Sequence, residues 1–420
     1  MSKSDRRGAE EQSRQPQLHL RELVREVLFD TVIVSGLEYV AEVLEEERTV
    51  LCGPRYQHDP RRQGLRAGSA PSSLSLGGRR IEVERPRARG MDGRELALPS
   101  WRAWSSRDPL ERRAIEQMLV GVSTRRYARS LEPLPSDFSA HAMGKSAVSE
   151  RFVVGTERKL AALLRRKLGG LQLIAVMIDG VRFAEHVILA AIGIDQSGRK
   201  HVLGLREGAT ENAASCKALL ADLSERGLST ARTLLFVLDG AKALHRAVTD
   251  VFGERALIQR CRQHKKRNVS DALPERMRSS ALSAMRQAYA TRDPKRARRL
   301  LENLARRLEP NYPSAAGSLR EGLEETLTVM RLNLPESLER VLSSTNLIEN
   351  LFSRVREIAR RVKRWQGGMM ILRWTAAGVL EAERDFRKIA GYRALPKLVA
   401  ALRAHDLVIE RRVDNGRTAA

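Results

Sequence analysis

Cysteine is nearly absent: Cys52, Cys216 and Cys261 are the only 3 in 420 residues, an odd number spread far apart. That excludes a disulfide framework and a four-ligand zinc site, so reduced thiols are expected. Aromatic residues make up 4% of the chain against 42% hydrophobic residues in all, so any core must be aliphatic. No apolar run approaches the ~20 residues that cross a bilayer, and the stretch MSKSDRRGAEEQSRQ has no hydrophobic block of the secretory kind. A membrane is therefore not an expected partner. Negative charge is short as well: 51 Asp and Glu stand against 75 Lys and Arg, a formal net charge of +24. An excess of that size points to a polyanion, and nucleic acid is the natural one. A cytoplasmic, nucleoid-associated location follows as an expectation.

The length allows two or three domains. From Leu18 to Leu44 apolar residues recur near helical spacing, which predicts two short helices around Gly36 and a helical region over 1–53. Residues 54–107 read as a loose basic linker in which RRIEVERPRARGMDGRELALP forms two short strands around a Gly-rich turn. Over 108–169 an Asp-Pro start predicts a helix that breaks near Gly121, a second helix from Ser123, and a third over GKSAVSERFVVGTERKLAALLRRKL. With their Ser- and Arg-rich starts these resemble a helix-turn-helix unit, with Arg125, Arg126, Lys145 and Arg151 as candidate DNA contacts. The whole N-terminal part is thus expected to be mainly helical, basic and DNA-binding.

From Leu171 the pattern turns to strand, strand, strand, helix, strand, helix, strand through 170–264, an α/β arrangement. Residues 265–342 read as a helical insertion, 343–390 as a helical region bearing further polar candidates, and 391–420 as a tail. Two apolar runs in the α/β part end alike, LQLIAVMIDG at Asp179-Gly180 and TLLFVLDG at Asp239-Gly240. An unpaired carboxylate at a buried strand end costs several kcal/mol, so something must meet each aspartate. In a mixed sheet whose fourth strand lies parallel beside the first, the two become neighbours. Paired carboxylates repel, and a divalent cation is the usual relief. Magnesium suits them, since it takes hard oxygen ligands and substrate phosphates.

A third carboxylate is offered by SSTNLIENLFSRVREIARRVKRW, Ser343–Trp365. Leu347, Leu351, Val355, Ile358 and Val362 form one predicted stripe, with Asn346, Glu349, Ser353, Arg356, Arg360 and Lys363 opposite. From Arg354 to Arg364 there are 6 basic residues and 1 acidic, a balance that a phosphate backbone would neutralise. Glu349 follows an expected Thr or Asn cap. Its competitors Glu336 and Glu339 are expected to cap or pair with Arg340 in the preceding helix, and Glu357 to pair with Arg360 and Arg361.

The stretches VMIDG, REGATENAASCKALLADLSERGL, LLFVLDGAKAL, RCRQHKKRN and STNLIENLFSRVR, in that order, resemble the DDE transposases of bacterial insertion sequences related to the eukaryotic Mutator element. The resemblance covers residues 108–390. It implies an RNase H-like catalytic domain with an all-helical insertion, a triad of Asp179, Asp239 and Glu349, and a Cys-x-x-His pair matched by Cys261 and His264. For that pair, packing of Cys261 and a hydrogen bond from His264 beside the metal site are the expected roles, since two ligands alone do not make a zinc site. The implied chemistry uses two magnesium ions roughly 4 Å apart, with manganese able to replace them. Hydrolysis would free a 3′-hydroxyl at each element end, and that hydroxyl would attack target DNA by direct transesterification. Implied partners are double-stranded DNA, as terminal inverted repeats and as target, and further copies of the chain in a homodimer or larger assembly. Lys265, Lys266 and Arg267 join Arg356, Arg360 and Lys363 as expected DNA contacts. Two alternatives stay open: a catalytically inactive, domesticated transposase acting as a DNA-binding regulator, and a metal-dependent phosphohydrolase.

If the excess of basic residues serves a polyanion, binding to duplex DNA should weaken by about a thousandfold between 50 and 200 mM salt for about six phosphate contacts. Affinity measured across that range checks this, and a flat response would reject the polyanion reading.

Overall fold

The computed structural model describes residues 30–76, 79–106, 109–131, 140–183, 185–360 and 362–418. The chain divides into two compact units, Met1–Gly155 and Thr156–Ala420.

In the first unit one helix, α1 (residues 30–52), runs straight through Gly36, where two short helices are expected; the part of that expectation before residue 30 lies outside the described residues. A lone glycine costs a helix ~1 kcal/mol, and burial of Ile33, Leu44 and Cys52 along α1 outweighs it. The stretch expected to be a loose linker is instead a sheet. Strand β1 (Gly64–Leu76) pairs antiparallel with β2 (Arg79–Gly90), which pairs on its other side with β3 (Glu95–Leu96). β2 and β3 are the two strands predicted around the Gly-rich turn. β1 is concealed in the sequence by its Gly, Pro and Ser content, which an edge strand tolerates because one side needs no ladder bonds.

Helix α2 (Pro99–Ser106) starts on Glu47 of α1, whose carboxylate accepts from the Ser100 backbone N–H at 2.9 Å and its hydroxyl at 2.6 Å. Helix α3 (Pro109–Leu119) matches the predicted Asp-Pro start and breaks near Gly121. The helix expected from Ser123 does not form: two 3₁₀ turns, Thr124–Arg126 and Ala128–Ser130, replace it. They turn the chain so that Tyr127 sinks, 1% exposed, among Ala114, Met143 and Val148. Strand β4 (Ala140–Ala142) then joins β2, and α4 (Lys145–Leu164) crosses the boundary between the units. The first unit is therefore mixed α and β rather than mainly helical.

The second unit is built on β5 (Leu173–Phe183), β6 (His186–Asp195), β7 (Lys200–Glu207), β8 (Leu234–Leu238) and β9 (Ala256–Arg260), in the order β7-β6-β5-β8-β9. β6 is antiparallel to β5 and β7, while β8 runs parallel to β5 and β9 to β8, the mixed arrangement in which Asp179 and Asp239 become neighbours. Helices α5 (Ala213–Glu225) and α6 (Lys242–Phe252) connect its parallel part. Strand period 2 sorts the aliphatic residues into two layers. Val176, Ile178, Leu189 and Phe236 meet α5 and α6 on one face, whereas Met177, Val181, Ala190 and Val237 join the other core.

After β9 come α7 (Arg262–Asp271), α8 (Glu275–Ala290), α9 (Pro294–Leu308), α10 (Pro313–Arg320), α11 (Thr328–Arg331) and α12 (Glu336–Leu342). Leu301, Leu304, Met285 and Leu319 centre a separate aliphatic core for these helices. The chain returns to the sheet with α13 (Asn346–Ala359), α14 (Gly368–Arg384) and α15 (Leu395–Thr418). In α13 the buried stripe is Ile348, Leu351, Phe352, Val355 and Ala359. It is rotated from the predicted one, because Phe352 packs on Phe183 at 5.8 Å between ring centroids and draws its side of the helix inward. Glu383 of α14 clamps this layer, accepting two Arg166 bonds of 2.7 Å and the Val202 N–H at 2.8 Å. Among the described residues no helix is long and apolar enough to cross a membrane.

The two adjacent leucines of α9 test the core assignment. Leu301 is 0% exposed and Leu300 37%. Leu301→Ala should cost about 2–5 kcal/mol in urea unfolding and Leu300→Ala within about 0.5 kcal/mol. Equal losses would contradict the assigned face of α9.

Candidate active site

Strand register creates the site. Ile178 of β5 stands opposite Leu238 of β8, and Leu238 opposite Arg260 of β9. The next residues along these three parallel strands are Asp179, Asp239 and Cys261, a row of reactive side chains on neighbouring strands ~4.8 Å apart. Asp179 shares the strand face of Met177 and Val181, which belong to the core that α13 completes.

The two Asp-Gly pairs are not equivalent. β5 does not end at Asp179: β6 keeps pairing with it, Asp179 opposite Ala190 and Gly180 opposite Leu189. β8 does end, and Gly240 takes φ +105°, where a Cβ would lie 2.2 Å from Arg260 Nε. Arg260 fills that space, donating to the Gly240 carbonyl at 2.7 Å and the Glu321 carbonyl at 3.0 Å. Asp239 Oδ1 accepts from the Ala241 N–H at 2.9 Å, which ties it to the start of α6.

Helix α7 begins directly after Cys261, whose N–H donates to the Leu238 carbonyl at 2.7 Å, and His264 follows in its first turn. The Arg262 N–H donates to the Ser343 carbonyl at 2.9 Å and so holds the Ser-Ser-Thr segment against the start of α7. Ser343, Ser344 and Thr345 are buried. Thr345 occupies the N-cap position of α13, yet its side chain makes no capping bond. Its hydroxyl lies 3.6 Å from Cys261 Sγ and 3.4 Å from His264 Nδ1, and its N–H donates to Sγ at 3.4 Å. In the sequence Thr345 is expected only as a cap; the run of three hydroxyl residues ahead of Glu349 is the signal for its inward role.

Glu349 sits in the first turn of α13 with Oε1 3.8 Å from His264 Nε2. One donor atom each from Asp179, His264 and Glu349 lie within 4.8 Å of one another. Asp239 stands outside that trio on the next strand, near enough for its charge to raise both Asp179 and His264. Asp179 and Glu349 are thus brought together, and His264, expected as a supporting residue, is a third potential ligand.

Burial pushes the Asp179 carboxyl up to about 6; His264 and the Thr345 hydroxyl pull it down and Asp239 adds to the rise. His264 is pushed up to about 9, first by its hydrogen bond with Cys261 and then, against its own burial, by Asp179 and Asp239. Burial raises the Cys261 thiol, but its bonds with His264 outweigh that and hold it below its ordinary value. The site is a carboxylate cluster with one imidazole among its donor atoms.

Among the expected DNA contacts, Lys265 is displaced from that role. It is 1% exposed, with its ammonium bonded to the Ser318 carbonyl and, at 2.6 Å, to that of Glu321. Lys266 is half-buried, 5.9 Å from the Tyr289 ring centroid, while Arg267 is exposed. Arg356 is exposed and lies 5.7 Å from the Phe183 ring centroid. Arg360 and Lys363 are exposed too, but α13 ends at Ala359, so the predicted polar face stops short of Lys363. Arg125, Arg126 and Lys145 of the first unit are exposed, and Arg151 is half-buried with a bond to the Ala147 carbonyl at 3.3 Å. Glu336 and Glu339 do not pair with Arg340: Glu336 meets Arg292, and Glu339 meets the buried Arg262 at 2.8 Å.

Gly240→Ala should destabilise the protein by about 1–3 kcal/mol, because the side chain must adopt a positive φ and push Arg260 off two carbonyls. Gly180→Ala should cost less, since its Cβ meets only the Thr210 and Val187 methyls, at 3.2 and 3.3 Å. Urea unfolding of both variants checks the order.

Comparison with known proteins extends the match well beyond the site. The family model described as Transposase, Mutator family, matches residues 11–388, including the N-terminal stretch where the sequence motifs are sparse. The chain is 28% identical over 385 residues to the transposase for insertion sequence element ISRM5 of Rhizobium meliloti (strain 1021), covering 89% of this chain and 90% of that protein. It is 28% identical over 296 residues to the transposase for insertion sequence element IS6120 of Mycolicibacterium smegmatis, 68% of this chain and 87% of that one. A third relative, the transposase for insertion sequence element IS256 in transposon Tn4001 of Staphylococcus aureus, is 27% identical over 330 residues, 75% of this chain and 80% of its own length. With a family match over nearly its whole length, this chain belongs to the Mutator family of transposases.

Proposed function

We propose that the chain is a DDE-type enzyme that cleaves the ends of an insertion sequence and joins them to target DNA, using divalent metal held by Asp179, Asp239 and Glu349. In this reading the five-stranded sheet with α5, α6, α13 and α14 is an RNase H-like catalytic domain, interrupted by the helices between β9 and α13. The observation that carries the reading is the convergence of Asp179, His264 and Glu349, with donor atoms within 4.8 Å, beside Asp239 on the adjacent strand end. The donor set fits a hard divalent cation: carboxylate oxygens dominate it, and Asp179 is 4% exposed, so its charge needs a counter-ion close by.

Magnesium, or manganese in its place, would supply Lewis-acid polarisation of a phosphodiester and offset charge on the attacking and leaving oxygens. The protein's own part is placement. Asp179 and Asp239 are fixed by strand register, Glu349 by the first turn of α13, and the His264 imidazole by Thr345 and Cys261. In the joining step a 3′-hydroxyl forms the new P–O bond as the target strand's P–O bond breaks, so the count of phosphodiesters is unchanged and no protein nucleophile is needed. The exposed cations Arg267, Arg356, Arg360 and Lys363, with Arg125, Arg126, Lys145 and Arg151 of the first unit, supply phosphate contacts. Terminal inverted repeats and target duplex are the substrates, and two ends call for at least two copies of the chain.

Asp179→Asn and Glu349→Gln should each keep DNA binding and lose magnesium-dependent cleavage by about a hundredfold or more. Glu357→Gln, altered at an exposed position of the same helix, should retain at least partial activity. The assay is nicking of labelled duplexes that carry the inverted repeats flanking the protein's own gene. Wild-type cutting by Asp179→Asn, or equal loss in the Glu349 and Glu357 variants, would overturn the assignment.

A further inference from the structure

The helices between β9 and α13, which have their own aliphatic core, carry a second concentration of charge. α9 holds Lys295, Arg296, Arg298, Arg299, Arg306 and Arg307 against Glu302 alone. Its apolar side, with Ala297, Leu301 and Leu304, is buried in the helical core. Four carboxylates on and around α9 are already committed. Glu302 and Glu324 take Arg298 at 2.8 and 2.9 Å, Glu324 also takes Arg331 at 3.0 Å, Glu309 takes Arg320, and Glu336 takes Arg292. Lys295, Arg296, Arg299 and Arg307 remain exposed, and among the described residues their side chains have no ion-pair or hydrogen-bond partner.

Arg296, Arg299, Asn303 and Arg307 follow one another at helical spacings of three and four and so share one face, about 17 Å long at 1.5 Å per residue. A solvated helix face ordinarily mixes signs, and like charges at this spacing repel by a few tenths of a kcal/mol. The free protein therefore gains nothing from this stripe. An extended polyanion would: about 17 Å matches about five steps of duplex rise at 3.4 Å each.

We propose that this face of α9 is a DNA-backbone surface, separate from the carboxylate site and from the cations of α13, which grips duplex by its phosphates without reading its sequence. The proposal rests on the reading that the chain acts on DNA. α9 shares a core with α10, and Lys265 ties α7, which carries His264, to the carbonyls of Ser318 and Glu321 at the end of α10. Duplex held on α9 is thereby held in fixed relation to the site.

The test is the full-length protein carrying Arg296→Gln, Arg299→Gln and Arg307→Gln together. The slope of log affinity against log salt should become shallower by about 3. Affinity for a duplex bearing the element's ends and for an unrelated duplex should fall by the same factor, about tenfold or more. The thermal midpoint should stay level or rise slightly as repulsion is removed, and lysine at the same three positions should restore the slope. An unchanged slope in the glutamine variant beside a steep wild-type slope overturns the α9 surface and leaves the DNA reading intact. A flat wild-type slope overturns the DNA reading itself. A midpoint that drops in both the glutamine and lysine variants, with the slope lost in both, would assign these residues to the fold and overturn the surface too.

Discussion

The parallel register of β5, β8 and β9 is the constraint on which the rest of the second unit depends. With Ile178 beside Leu238 and Leu238 beside Arg260, the following residues Asp179, Asp239 and Cys261 form one row. Strand side chains alternate with period 2, so a slip of one residue in β5 would turn Asp179 to the opposite face. There it would meet the aliphatic layer of Leu219, Leu220 and Leu244, where an unpaired carboxylate costs several kcal/mol. Burial of both sheet faces enforces the register: apolar side chains must fill both layers at once, and only one alignment allows it.

Three cations at the β9–α7 junction extend that constraint to the helical segment. Arg260 binds the carbonyls of Gly240 and Glu321, Arg262 binds the Thr326 carbonyl and Glu339, and Lys265 binds the carbonyls of Ser318 and Glu321. Buried charge is costly unless its hydrogen bonds are met; each head group here reaches backbone oxygen, while Arg262 Nη2 has no hydrogen-bond partner among the described residues and its guanidinium lies 4.7 Å from the Tyr289 ring centroid. Burial still pushes the Lys265 ammonium down to about 8. These residues look in the sequence like part of a basic surface, yet they fasten the helices to the edge of the sheet. The outward charge of the segment lies instead on α9, where Lys295, Arg296, Arg299 and Arg307 are exposed.

The candidate-site side chains arrive from three parts of the chain with different kinds of support. Asp179 is held by a strand paired on both sides, Asp239 by a strand end and a helix start, and Glu349 by a helix whose first residues are pinned to α7. Thr345 strengthens the last of these, since its backbone and hydroxyl meet Cys261 and its hydroxyl meets His264. A hydroxyl spent inward leaves α13 without a side-chain cap, a small local loss set against a fixed imidazole.

Period-2 and period-3.6 patterns were enough to place β5 to β9, α5 and α6 in order, because strands buried on both faces leave long aliphatic runs; that β8 lies parallel beside β5 was only the condition for the two aspartates to meet, and the tertiary pairing supplies it. The Asp-Gly endings and the glutamate after Ser-Ser-Thr-Asn likewise stood out as candidates from residue type alone. Other features were invisible locally. β1 hides behind turn-forming residues that an edge strand tolerates, β5 continues past Asp179 only because β6 pairs with it, and the buried stripe of α13 is set by Phe352 meeting Phe183. The inward turn of Lys265 and the meeting of Thr345 with Cys261 and His264 link residues more than fifty positions apart. A sequence determines which face of its own helix or strand each residue can occupy; which distant atom waits there is decided by the packing of the whole unit, since only folding brings donor and acceptor within reach.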